Sequence, residues 1–134
     1  MSSPITHTKE NSMNAINWFE IPAANFARAV AFYEHIMALK LAIDDSFSGM
    51  KMALFPYQEP GVGGCVIESD NFRPHADGVR IYLNGGDDLA PILARVEAAG
   101  GQVVMPKTPI RDDIGCIAMF SDSEGNIVGL HSPH

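Results

Sequence analysis

The stretch INWFEIPAANFARAVAFY, Ile16–Tyr33, decides the architecture: it reads as a strand, a break and a helix. Strand side chains alternate, so Trp18 and Glu20 share one face of Ile16–Ile21 while Phe19 and Ile21 share the other. Pro22 ends the strand, having no N–H to donate to a ladder. Asn25 is placed to cap the following helix through its side-chain oxygen. Phe26, Val30, Tyr33 and Met37 recur at helical spacing and give Asn25–Ala38 an apolar face. The pattern returns downstream as Val79–Asn84, a Gly-Gly-Asp-Asp break, and then Leu89, Ile92, Leu93 and Val96. An internal repeat of this kind points to two copies of one supersecondary unit.

Outward from those two anchors, each half fills in as β-α-β-β-β. In the first, Leu39–Asp44, Met50–Pro56 and Gly63–Glu68 read as strands, separated by turns at Ser46–Gly49 and Tyr57–Val62. Ser69–Asp77, polar and carrying Pro74, reads as the linker. In the second, Gly78–Asn84 is the strand and Asp87 or Asp88 the helix cap. Pro91 is tolerated there because first-turn N–H groups lack partners. Gly100 and Gly101 end the helix. Gln102–Met105, Gly115–Ser121 and Ile127–His131 follow as strands, with Pro106–Asp113 a loop. Asp122–Asn126 is a tight turn held by Asp122 and Asn126. The expected fold class is α+β: paired βαβββ modules forming a cupped eight-stranded mixed sheet, a helix on the outer face of each. The expected division is a tail over 1–14 and one domain over 15–134, made of modules 15–68 and 78–133 joined by 69–77.

Strand alternation then assigns faces. Phe19, Ile21, Cys65, Ile67, Val79, Ile81, Leu83, Val128 and Leu130 are expected beneath the helices. Trp18, Glu20, Val66, Glu68, Arg80, Tyr82, Asn84, Gly129 and His131 are expected to face a shared cleft. Polar and aromatic groups gathered in a concavity suggest a ligand site.

The totals narrow the function classes. The chain has 134 residues, 46% of them hydrophobic, and a formal net charge of −7. That balance suits one globular domain and lacks the basic stripe of a nucleic-acid binder. No apolar run is long enough to cross a membrane. MSSPITHTKENS has no apolar signal-peptide core, so a cytoplasmic location is expected. Cys65 and Cys116 sit in apolar runs and read as small buried hydrophobes. The Gly-Gly pairs at 63–64 and 85–86 lack the setting of a phosphate-binding loop. His35 reads as solvated, and Arg73 and His75 as linker residues at most rimming the cleft.

The repeated plan, AVAFYE at 29–34, LARVEAAGGQVV at 93–104 and FSDSEGNIVGLHSP at 120–133 together resemble the vicinal oxygen chelate superfamily of glyoxalase I, bleomycin- and fosfomycin-resistance proteins and extradiol dioxygenases. The resemblance spans Ala15 to Pro133. It implies a small-molecule ligand and a homodimer; the acidic charge and the lack of a long apolar run speak against a nucleic-acid or membrane partner. It also implies a divalent metal held from the first, fourth, fifth and eighth strands. Carried onto this chain, those positions fall on Trp18, near Glu68, on Arg80 and on Gly129. Indole and guanidinium offer no lone pair and glycine no side chain, so the usual metal site is expected to be absent and no cofactor is expected.

Besides a chaperone-like or sequestering module that grips a planar toxic compound with Trp18, two functions remain open at this point. One is a metal-free small-molecule binder whose ligand meets Trp18, Glu20, Arg80, Tyr82 and His131. The other is a lyase or isomerase of the glyoxalase I type, with His131 or Glu20 moving protons and Arg80 holding an anionic group. A displaced metal on Glu20, Glu68 and His131 is a variant of the second. Each residue also has a plain reading: Arg80 in an ion pair with Glu20 or Glu68, Trp18 as packing, Tyr82 as an orienting group, His131 in a hydrogen-bond network.

Overall fold

The computed structural model describes residues 14–134, so the tail expected over 1–14 lies, except for Asn14, outside the described residues. The elements are β1 (Trp18–Pro22), α1 (Phe26–Met37), β2 (Ala42–Asp44), β3 (Met50–Leu54), β4 (Gly63–Ser69), β5 (Tyr82–Asn84), α2 (Ala90–Val96), β6 (Gln102–Arg111), β7 (Gly115–Ser121) and β8 (Ile127–Ser132). They form two four-stranded mixed sheets, ordered β1-β4-β3-β2 and β5-β8-β7-β6. In each, the first pair is parallel and the rest antiparallel. The duplicated β-α-β-β-β plan of an α+β protein is therefore present. No helix among the described residues is long and apolar enough to cross a membrane.

The break after β1 is built as its residues dictate. Asn25 is extended, with φ −127°, and its Oδ1 accepts the Arg28 N–H at 3.0 Å. Ala38 closes α1 in the left-handed region at φ 54°, its N–H returning to the Glu34 carbonyl. The buried stripe of α1 is Ala29, Phe32, Tyr33 and Ile36, whereas Phe26, Val30 and Met37 are only partly covered. The expected stripe was thus rotated, because α1 serves both modules. Its Phe32 and Tyr33 rings lie 5.8 and 6.2 Å from the Phe120 ring of β7, and Tyr33 lies 5.9 Å from Phe55. Arg95 of α2 grips the end of α1, donating from Nε and Nη2 to the Ile36 carbonyl at 3.0 and 2.7 Å. One continuous core results, running from Ile21 and Val66 to Val128 and Leu130. Each large side chain buried there contributes on the order of 1.5–3 kcal/mol.

Four expectations need correction. First, β4 has the opposite parity: Val66 joins the core beside Ile21, while Cys65 pairs with Glu20 on the other face. Glu68 accordingly points to the helix side, where its Oε1 accepts the Phe26 N–H at 2.7 Å. Secondly, β5 is only Tyr82–Asn84, and Val79, expected beneath α2, is 95% exposed. Thirdly, β6 runs through the expected loop to Arg111. Pro106 and Pro109 fit because β6 is an edge strand interrupted by register shifts. Fourthly, β2 begins at Ala42, and α2 has no side-chain bond from its N-cap residue Leu89. Asp88 still accepts the Ala90 N–H, at 3.0 Å.

Candidate functional site

The sheet faces turned away from the core carry most of the residues singled out from sequence. On the first sheet, Trp18 and Glu20 project from β1, and the Trp18 indole N–H donates to Glu20 Oε2 at 3.3 Å. The Tyr57 ring lies over Gly63, the β4 partner of Trp18, so this face is aromatic. Cys65 is buried beside Glu20. Burial, aided by the Glu20 carboxylate, pushes its thiol up to about 12, which leaves it neutral and without nucleophilic character.

On the second sheet, Tyr82 pairs with Gly129 and Asn84 with His131. Trp18 and Tyr82 are 40% and 43% exposed, so neither ring is enclosed within the chain. His131 Nε2 lies 2.6 Å from the Ile114 carbonyl, an acceptor, and so carries its proton there. Arg80 Nη1 donates to the Ile127 carbonyl at 2.8 Å. Its expected ion pair with Glu20 or Glu68 does not form among the described residues; backbone takes that place.

The positions where the resemblance expects metal ligands do not suit a divalent cation. Trp18 and Arg80 supply no lone pair. At Gly129 a Cβ would run into the Tyr82 ring, so Tyr82 occupies the space any liganding side chain would use. The displaced trio is dispersed. Glu68 sits at the N-terminus of α1, and His131 lies in the other sheet from Glu20. Among the described residues no three His, Cys, Asp or Glu side chains are grouped to hold a metal ion.

Two concavities adjoin the faces. A larger one of about 750 Å³ opens at the end of β4 between Phe47, Lys51, Phe72 and Arg73. A smaller one of about 270 Å³ lies where the modules meet, lined by Glu20, Arg73, His75, Ile81 and Ile127. Trp18, Arg80, Tyr82 and His131 stand outside both. Of the five expected ligand-contacting residues, only Glu20 reaches a concavity. The structure brings to it Arg73 and His75, which sequence reading left in the linker. The available signal was topological: a polar linker between two packed modules must cross their seam, and seams are where ligands bind.

Similarity to known proteins agrees with this architecture. Over 130 residues the chain is 28% identical to the protein CFP32 of Mycobacterium tuberculosis, covering 94% of this chain and 47% of that protein, so it spans about half the length of that curated relative. A glyoxalase I structure from Zea mays superposes with a TM-score of 0.67 at 19% identity, covering 87% of this chain and 46% of that one. The fosfomycin resistance protein FosX of Listeria monocytogenes superposes with a TM-score of 0.61 at 18% identity, covering 90% and 91%. These structural likenesses establish the fold. With residues 15–130 matching the family pattern and the duplicated module seen directly, the chain belongs to the Glyoxalase/Bleomycin resistance protein/Dioxygenase superfamily.

Proposed function

We propose that this chain is a metal-independent small-molecule binding protein of its superfamily, its ligand meeting Trp18, Glu20, Tyr82 and His131 on the open sheet faces and Arg80 just before β5. The observation that carries the reading is the Tyr82 ring lying over Gly129, which replaces a coordination position by an aromatic surface. Trp18 makes the same exchange on the first sheet. Flat aromatic surfaces favour planar apolar ligands, to which stacking adds about 0.5–1.5 kcal/mol beyond area burial.

The deciding experiment has two parts. Elemental analysis of dialysed protein is expected to find no stoichiometric Ni, Zn, Fe or Mn; one equivalent of any of these overturns the reading. Titration with planar aromatic compounds is expected to change the emission of the single tryptophan, Trp18, and Tyr82→Ala to weaken that response. We further propose a homodimer. Support comes from Ile16, Trp18, Tyr57, Val79 and Tyr82, large apolar side chains left exposed on one chain. Sedimentation equilibrium is expected to give twice the chain mass; a monomer at micromolar concentration removes the dimer.

A further inference from the structure

We infer that the concavity at the module seam binds small monocarboxylic acids with apolar bodies, Arg73 holding the carboxylate. This rests on the reading of the chain as a small-molecule binder and moves the charged part of recognition away from Arg80.

The polar inventory of the seam is short. Glu20, Arg73, His75 and Asn126 line it. The Asn126 amide is already engaged, donating to the Pro22 carbonyl at 2.8 Å and to Asp122 Oδ2 at 2.9 Å. Arg73 forms no ion pair among the described residues, in a chain of net charge −7. Arg73 is exposed and stands between the two concavities, lining the larger one with Asp45, Glu68 and Asp70 and the seam with Glu20, yet it pairs with none of these carboxylates, so its planar fork is available to an incoming one. His75 Nδ1 accepts the Asp77 N–H at 3.2 Å, which leaves Nε2–H of the neutral ring free to donate. Arg73 and His75 thus each bring an unengaged donor to the lining of the seam. Glu20 lines the same concavity, so its charge opposes any carboxylate that Arg73 does not itself hold and disfavours a second one most. The remaining wall is apolar, including Ile21, Ile81 and Ile127, with exposed Val79 at the rim. An apolar body covers that surface; a compact polar acid would not.

Glu20 also ties the seam to a reporter, because its Oε2 accepts the Trp18 indole N–H. A ligand that displaces or draws on Glu20 changes the indole's environment. The probes are cyclohexanecarboxylate, its uncharged amide and cyclohexane-1,2-dicarboxylate, none of which absorbs where tryptophan is excited. Calorimetry and Trp18 emission are expected to show saturable binding of the monocarboxylate, weaker binding of the amide and weaker binding of the dicarboxylate. Arg73→Gln is expected to weaken the monocarboxylate by about tenfold or more, a loss of roughly 1.4 kcal/mol. Arg111→Gln, remote on β6, is expected to leave it unchanged. Glu20→Gln is expected to narrow the gap between mono- and dicarboxylate.

Absence of saturable binding by the monocarboxylate at tens of millimolar overturns the proposal. So does equal affinity in Arg73→Gln, whose native-like circular dichroism would exclude misfolding. If aromatic compounds still perturb Trp18 in the Arg73→Gln protein, only the seam site falls. If a stoichiometric metal is found, the metal-free reading falls instead.

Discussion

The Tyr33 hydroxyl donates to Asp122 Oδ2 at 2.7 Å, joining the centre of α1 to the turn between β7 and β8. The bond crosses from one module to the other and is buried. Asp122 also receives the Glu124 and Asn126 N–H groups at Oδ1, each at 2.9 Å, so the turn and the helix share one carboxylate. Tyr33→Phe removes a charge-assisted bond without leaving a cavity and is expected to destabilise the fold by about 1.5–3 kcal/mol in urea denaturation. The phenol is also held well above its ordinary pKa, first by burial and then by Asp122. A group with a raised folded pKa contributes fully below its unfolded value and loses that contribution as pH climbs through the folded one. Native stability is therefore expected to fall above about pH 10, and Tyr33→Phe to flatten that decline. Parallel alkaline curves for the two proteins would refute the assignment.

Glu124 works at the N-terminus of α1. Its Oε1 accepts the Ala24 and Asn25 N–H groups at 2.9 and 2.7 Å, and its Oε2 takes Arg28 Nε at 2.6 Å. Burial pushes this carboxyl up, but the Arg28 bond and the Asn25 N–H outweigh it and hold the pKa below the usual value. The sign is then the reverse of Tyr33: the contribution is present above the unfolded pKa, about 4.3, and lost as pH falls through the folded one. Glu124→Gln is expected to cost about 1–3 kcal/mol at neutral pH and to make acid unfolding between pH 5 and pH 3 shallower, read as melting temperature against pH. An unchanged acid limb would show that other carboxylates govern it.

The β1–α1 break was readable because its cues are local: alternation, a proline and a capping Asn25 within a few residues. β4 was not, since GGCVIES is buried at its first five positions and offers no alternation to fix its parity. That single ambiguity put Glu68 in the cleft and Cys65, which is buried as expected, on the helix side. The α1 stripe was blurred for a similar reason: AVAFY is apolar nearly all round, as befits a helix packed on two sheets. Val79 misled in the other direction, because VRIYL alternates cleanly although only Tyr82–Asn84 pairs. Arg73 and His75 carry no periodicity at all, and only the seam between packed modules gives them a place.

Gly129 and Tyr82 form a pair whose dependence can be measured. The ring fills the space above the glycine, so Gly129→Ala forces it aside. The substitution is expected to cost about 1–3 kcal/mol, as overpacking generally does. Tyr82→Ala removes the obstruction, so adding Gly129→Ala to it is expected to cost little. The coupling energy of this double-mutant cycle is expected to exceed 0.5 kcal/mol, the lower bound for residues in contact. Additive effects would place the ring elsewhere, and with it would go the argument against a liganding side chain at 129.

Cysteine reactivity gives a sharper check on the revised β4 parity. Both thiols are free and buried, and that of Cys65 is pushed up to about 12 by burial and then by Glu20 across the β1–β4 pair. The thiolate is the reactive form, so the native protein is expected to give no prompt reaction with a disulfide reagent at pH 8, and two thiols after unfolding in guanidinium. Glu20→Gln removes the neighbouring negative charge but leaves the burial, and so is expected to bring the pH onset of Cys65 reaction down without making it fast at pH 8. Cys116 is the internal control, lying in the other sheet. If Glu20→Gln leaves the Cys65 onset where it was, the two side chains do not share a face, and the placement of Glu20 beside the seam loses its support.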